Sequence, residues 1–243
     1  MKISFYNGVS GLSAYQEDMD RISNNISNSG TVGFKASRTN FSQLLYTQMA
    51  VNSANQPLTG HGVKADDSRL QCKQGNVLQT GMPLDYAVMG AGFFAVERPD
   101  GSVQYTRSGA FDISVSGNKG YLVTADGSFV LDGKGKKIEL ERKAKDDPFD
   151  FTKLPDQIGI YMIENPYGLQ PVGDTCYALT PSAGEAKADR NGASKLLQGA
   201  LEQSSVDLSE EMVNVIQSQR AFQMNAKMVQ TADELEQVIN NLR

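Results

Sequence analysis

The sequence predicts an α+β chain: N- and C-terminal helices forming a coiled-coil-like helical part, with a central, mainly antiparallel β domain. Three observations predict it. Residues 3–29 and 206–242 both carry apolar residues at helical spacing. From Met82 onward, short apolar runs alternate with glycine turns, the pattern of hairpin-connected strands. The chain of 243 residues is 40% hydrophobic and 21% charged, enough apolar material for an ordinary folded core. The predicted division is a terminal helical assembly domain from 1–35 with 206–243, extended connecting segments at 36–83 and 180–205, and a β domain at 84–179.

In the first helix, Phe5, Leu12, Met19 and Ile26 recur every seven residues, and Tyr15 and Ile22 fall three residues after Leu12 and Met19. That spacing draws one narrow apolar stripe along a helix. Glu17, Asp18 and Asn24 occupy the opposite side. Asn28, Ser29 and Gly30 form the stop, since glycine takes the left-handed conformation without a Cβ penalty.

The last helix opens at Asp207 or Ser209 as cap, with Glu210 and Glu211 favourably placed in the first turn. Leu208, Met212, Val215, Phe222, Ala226 and Val229 alternate steps of four and three, with Gln219 the polar member. Met228, Ala232, Leu235, Ile239 and Leu242 continue the stripe shifted by one residue, which makes a wide face or two faces. With no Gly or Pro after Val206, the helix can run ~50 Å. The two terminal stripes can cover one another, and the excess stripe wants another subunit.

The middle reads as strands at Leu84–Met89, Phe93–Glu97, Val103–Arg107, Ala110–Val115, Tyr121–Thr124, Phe129–Leu131, Ile138–Leu140, Ile158–Ile163 and Cys176–Leu179. Pro99-Asp100-Gly101 and Asp126-Gly127 are hairpin-type turns between them. Phe41–Met49 is expected as a short helix, and Ser53–Val63 and Thr180–Gly192 as loops. Arg107 and Asp85 are expected to pair within the β domain.

Several function classes lack their parts. Net charge is -5 with no clustered basic face, which argues against nucleic acid. No stretch approaches the ~20 apolar residues of a membrane span, so direct membrane insertion is not expected. Asn7, Gly8, Ser10 and Ser13 interrupt any apolar core of a signal peptide, so the chain is expected to be cytoplasmic or exported without a cleaved signal. Cys72 and Cys176 read as buried free thiols, and the single histidine, His61, as a solvent-exposed residue in a glycine-rich loop. Gly90-Ala91-Gly92-Phe93-Phe94-Ala95 fits a dinucleotide fingerprint, but a strand rather than a helix follows it. No catalytic, cofactor or metal residues are assigned, and an enzyme is not expected.

Three blocks resemble the bacterial flagellar rod and hook axial proteins. The first is Val9-Ser10-Gly11-Leu12-Ser13-Ala14, Ile22-Ser23-Asn24-Asn25-Ile26-Ser27-Asn28 and Thr31-Val32-Gly33-Phe34-Lys35. The second includes Gln74-Gly75-Asn76, Gly92-Phe93-Phe94-Ala95-Val96 and Tyr105-Thr106-Arg107-Ser108-Gly109-Ala110-Phe111. The third runs from Gln198-Gly199-Ala200-Leu201-Glu202 to Gln219-Arg220-Ala221-Phe222 and Asn225-Ala226-Lys227, and is most like the distal-rod type.

The resemblance implies a structural subunit of the basal-body rod in the periplasm-spanning part of the flagellum. It implies type III export without a cleaved signal, and helical self-polymerisation into a hollow shaft that transmits torque to the hook. Implied partners are further copies, other flagellar rod and hook proteins, and the export apparatus. The expected assembly interface is Leu12, Met19, Ile22, Ile26, Met212, Val215, Phe222, Val229, Leu235 and Ile239, with Gly33 and Phe34 as an elbow leaving the first helix. A hook-type axial protein and a soluble β-domain binding module stand as alternatives.

Overall fold

The structure, a computed structural model, describes residues 2–48, 58–117, 119–141, 151, 153–189 and 192–242. In chain order the helix α1 (Lys2–Ser27) is followed by strands β1 (Ser37–Gln43), β2 (Tyr46–Gln48), β3 (Leu58–Gly60), β4 (Val63–Leu70), β5 (Val77–Gln79), β6 (Tyr86–Met89), β7 (Phe93–Glu97), β8 (Val103–Thr106), β9 (Phe111–Ser116), β10 (Lys119–Thr124), β11 (Phe129–Val130) and β12 (Glu139–Glu141). A short helix α2 (Leu154–Gln157) precedes β13 (Ile160–Ile163), β14 (Gln170–Gly173), β15 (Cys176–Ala178), β16 (Ala186–Ala188), β17 (Lys195–Gln198) and β18 (Ala200–Glu202), and the chain closes with α3 (Leu208–Asn241). The expected terminal helices and central antiparallel sheet are present.

The described residues form two compact units. The first takes Met1–Ser27, Ser37–Arg69 and Asp207–Arg243, so it holds α1, α3 and the arm strands β1–β4. The second takes Asn28–Ala36 and Leu70–Val206.

In the first unit, α3 begins as its sequence directs. Asp207 is the N-cap, its carboxylate accepting from the backbone N–H of Ser209 at 2.9 Å and of Glu210 at 3.3 Å. The α1 helix ends at Ser27, just before Asn28-Ser29-Gly30, but Gly30 does not take the expected left-handed conformation; the first glycine with positive φ is Gly33, at +70. β1 pairs with β4, and β2 with β3 in antiparallel register, Tyr46 opposite Gly60.

The helix expected at Phe41–Met49 is therefore absent over its described residues: Phe41–Gln43 ends β1, and Tyr46–Gln48 is β2. Val63–Leu70 supplies a partner strand for the first of these, and ladder pairing outweighs a weak local helix preference. Likewise Leu58–Gly60 and Val63 are strand rather than loop, while residues 53–57 of that expected loop lie outside the described residues. Ala186–Ala188, also expected as loop, pairs with β13.

The second unit is built on a ten-stranded sheet. Its strands run β12-β10-β11-β7-β8-β15-β14, with β9 on β10, and β13 joining β7 to β16. Every pairing given for this sheet is antiparallel. The apolar run Phe93-Phe94-Ala95-Val96 lies at its centre as β7, and alternation sends successive side chains to opposite faces.

Phe94 and Val96 join one buried cluster with Tyr86, Phe111, Leu122 and Leu154; Phe93 and Ala95 join a second with Tyr105, Ile163 and Tyr177. Both faces of β7 are covered, which is why its sequence is continuously apolar instead of alternating. The Gly90-Ala91-Gly92 match is a link between β6 and β7, with no helix after it. β17 pairs with β6 and β18 with β5, so residues 195–202 return to strands formed far earlier in the chain.

A helix pair with an outward apolar face, and a buried charge cluster

In the first unit α1 and α3 lie side by side and antiparallel. Asn25 Nδ2 donates to Glu211 Oε1 at 3.0 Å, the Ser218 hydroxyl donates to the Asp18 carboxylate, and Gly11 faces Asn225. Each step is seven residues back along α1 and seven forward along α3. A Cβ on Gly11 would lie 2.8 Å from the Asn225 side chain, so glycine permits the close approach there. Ala14, Ile22 and Asn25 are buried.

The seam is thus mostly small and polar. Asp18, expected on the outer side of α1, belongs to it instead, because Ser218 supplies its hydroxyl from α3. Asn25 has a second duty. Its amide accepts from Ser37 N at 3.0 Å and donates to Ser37 O at 2.9 Å, fixing the start of β1 beside the end of α1. Glu211 is buried and also accepts from Asn214 at 3.5 Å. A cleft of about 410 Å³ beside the seam is lined by Tyr15, Arg21, Arg38, Phe41 and Gln217 among others. His61, half-exposed in the arm, has Nε2 2.7 Å from the Thr47 hydroxyl.

With polar groups inside the pair, the apolar groups of α3 face outward. Met212, Val213, Ile216, Met224, Met228, Leu235, Val238, Ile239 and Leu242 are each more than half exposed. Of the residues expected to form an assembly interface, Ile22 is buried in the seam; Leu12, Met19, Ile26, Val215, Phe222 and Val229 are half-buried; Met212, Leu235 and Ile239 are exposed. At the observed register, the last two turns of α3 extend past the start of α1.

The second unit contains a buried ionic cluster. Lys35, Arg107 and Glu202 are each at most 1% exposed. Lys35 Nζ lies 2.6 Å from Glu202 Oε1 and also donates to Lys73 O at 2.6 Å. Arg107 Nη1 is 3.1 Å from Glu202 Oε2, and its Nη2 donates to Gly90 O at 2.7 Å. Gly75 N donates to Glu202 Oε1 at 2.8 Å. The Arg107 guanidinium sits 4.8 Å from the centre of the Phe93 ring, a cation–π contact.

Burial holds the Lys35 ammonium below the usual lysine range, against the opposing pull of Glu202. Burial likewise raises the thiol of half-buried Cys72. Both cysteines are free thiols.

The expected Arg107–Asp85 pair is corrected by this geometry. Arg107 is bound by Glu202, and Asp85 accepts from the Thr80 hydroxyl at 2.5 Å. The partner came from 95 residues further on, beyond any local spacing rule. Gly33 and Phe34 lie in the same region. Gly33 has φ +70 and donates to Glu202 O at 2.8 Å; a Cβ there would lie 2.4 Å from Ser108 N. Phe34 is half-buried, and its carbonyl accepts from Ser205 N at 3.0 Å.

Comparison with known families gives three matches. Residues 5–35 match the flagella basal body rod protein model, residues 87–152 the flagellar hook protein FlgE/F/G D1 domain, and residues 197–242 the C-terminal region of the flagellar basal body rod FlgEFG proteins. The flagellar basal-body rod protein FlgG of Agrobacterium fabrum is 35% identical, covering 96% of this chain and 96% of its own. FlgG of Bacillus subtilis is 34% identical, covering 99% and 98%. The flagellar hook-basal body complex protein FlhP of Bacillus subtilis is 31% identical, covering 96% of each chain.

Proposed function

The chain belongs to the FlgG-like family of flagellar basal-body rod proteins, and from that premise we propose how its two ends build the rod. It is a structural subunit of the flagellar basal body, acting with other rod and hook proteins. We infer that 1–35 with 206–243 is the assembly domain, and that it polymerises helically into a hollow shaft that transmits torque to the hook. Coiled-coil-like packing between copies, with Leu12, Met19, Ile26, Met212, Val215, Phe222, Val229, Leu235 and Ile239 at the interface, supplies the cohesion. Ile22 acts from within the α1–α3 seam, and Gly33 and Phe34 act as the elbow. Export through the flagellar type III apparatus, without a cleaved signal, delivers the chain to the periplasm-spanning rod.

The observation that carries this reading is the apolar face of α3. A row of exposed Met, Ile, Val and Leu along a 34-residue helix is more than scattered surface residues explain. Covering it is worth ~25 cal/mol per Å² of apolar surface removed from water. A head-to-tail contact of this kind that does not close on itself yields a filament.

The test is the double variant Leu235→Asp with Ile239→Asp in the full chain. It is expected to abolish filaments in micrographs and sedimentation while changing the monomer's stability by less than ~0.5 kcal/mol, since both residues are exposed. Filaments of ordinary length from this variant defeat the proposal.

A hook-type role is the second reading, because the D1 model matched by residues 87–152 spans the FlgE, FlgF and FlgG proteins together. Labelling an epitope on this chain in isolated hook-basal bodies separates the two, by signal on the rod or on the hook.

A further inference from the structure

The Lys35–Arg107–Glu202 cluster joins segments that are distant in sequence. We propose that it is a late-closing latch: Glu202 seals the second unit only after the sheet has formed, and until then the region around Cys72 stays open. The inference rests on the second unit alone and is independent of how copies assemble.

Three facts carry it. First, a single carboxylate gathers Lys35 at 2.6 Å, Gly75 N at 2.8 Å and Arg107 at 3.1 Å, and Arg107 in turn holds Gly90 O at 2.7 Å. Second, all three ionic side chains are fully enclosed, so each loses its water when the cluster forms. Desolvation of an ion costs several kcal/mol and is offset only when every partner is in place. With Glu202 absent from its seat, Lys35 and Arg107 are two cations sharing one pocket, and the favourable state is a hydrated, open one.

Third, the partners lie 167 and 95 residues from Glu202, and Glu202 arrives on β18, which itself needs β5 already in place. The sheet core, by contrast, includes near-neighbour hairpins, such as β7 with β8 and β9 with β10, that can form without residue 202. A chain delivered from its N-terminus therefore keeps this region open until residue 202 has emerged.

The two cysteines report on the two regions. Cys72 directly precedes Lys73, whose carbonyl takes the Lys35 ammonium, and is half-buried at the edge of the cluster that holds Leu70 and Phe93, while Cys176 is buried in the cluster on the other face of β7. The experiment measures labelling rates of both thiols by Ellman's reagent in native full-length protein, and refolding rates from urea, for the wild type and for Glu202→Gln.

The expected result is at least tenfold faster labelling of Cys72, less than threefold change at Cys176, and a refolding rate within twofold of wild type. A contact formed after the rate-limiting step changes opening and leaves refolding alone. Equal acceleration at both thiols, unchanged labelling of Cys72, or refolding slowed tenfold would each overturn the latch. If Glu202→Gln does not fold, Lys35→Met with Glu202→Gln removes one charge of each sign and is read the same way: it is expected to label Cys72 faster with refolding unchanged, and slowed refolding again overturns the latch.

Discussion

The helical unit and the sheet unit treat polarity in opposite senses. Between α1 and α3 the contacts include Asn25 with Glu211, Asp18 with Ser218, Gly11 with Asn225 and Gly8 with Val229, while Met212, Ile216, Leu235, Val238 and Ile239 of α3 are exposed. In the sheet unit Phe94, Val96, Leu122 and Val130 are wholly enclosed, and the charges that enter do so as one ion-paired cluster in which only Arg107 Nε is left without a hydrogen bond among the described residues. A small polar seam gives register at little gain in stability, because each hydrogen bond contributes only ~1 kcal/mol net. An apolar core gives stability outright. The sheet unit thus has an enclosed apolar core on each face of β7, whereas the helix pair leaves much of the apolar surface of α3 in water.

Three perturbations probe the contrast between the two units. Phe94→Ala removes an aromatic ring at the centre of the sheet core, packed edge-on to Phe111 at 5.1 Å between ring centres. It is expected to cost the sheet unit ~3–5 kcal/mol in urea unfolding. A loss below ~1 kcal/mol would mean that this core is no better packed than the helix seam.

Alkaline pH comes next. Burial raises the Cys176 thiol from 9.0 to about 11. A group whose pKa is raised on folding contributes stability that is complete below its unfolded value and lost as pH climbs to the folded one. Stability of the sheet unit is therefore expected to fall between pH 9 and about 11, by up to ~3 kcal/mol from this thiol. Tyr105 and Tyr161, also raised by burial, add to the loss at the upper end. Lys35 opposes it, since its depressed pKa makes the folded state more favourable as pH rises toward the ordinary lysine value. Urea melts of wild type and Cys176→Ala at pH 8 and pH 10.5 measure the thiol's share; identical slopes would remove it.

Asn25→Ala is the smallest of the three. It strips the buried Glu211 carboxylate of its shorter hydrogen bond, leaving the one from Asn214, and frees the start of β1. The expected cost is ~1–3 kcal/mol, read as lost helical ellipticity at lower temperature. A neutral outcome would show that the polar seam sets no register at all.

Much of the architecture was legible in the residues. Both terminal helices and the bounds of β7 follow from local chemistry and periodicity; the sequence narrows the cap of α3 to Asp207 or Ser209, and the fold selects Asp207. The strands at 37–48 escape a linear reading because their partners, Val63–Leu70 for β1 and Leu58–Gly60 for β2, lie across a stretch with no hairpin signal of the Asp-Gly kind. The Glu202 cluster escaped for the same reason on a larger scale. Lys35, Arg107 and Glu202 each stood in a recognisable block, yet nothing in one block names the others as neighbours.

By itself, then, the sequence determined the element types, the ends of the helices, the apolar surplus of α3 and the membership of the rod family. These are written in short-range spacing and residue type, which a linear reading preserves. Only the tertiary structure decided which side of α1 meets α3, and that Asp18 lies within the seam. It also decided that Arg107 binds Glu202 and not Asp85. Those outcomes depend on pairing across as many as 200 residues, where the free energy of burying a charge or leaving it in water is settled by what the fold brings beside it.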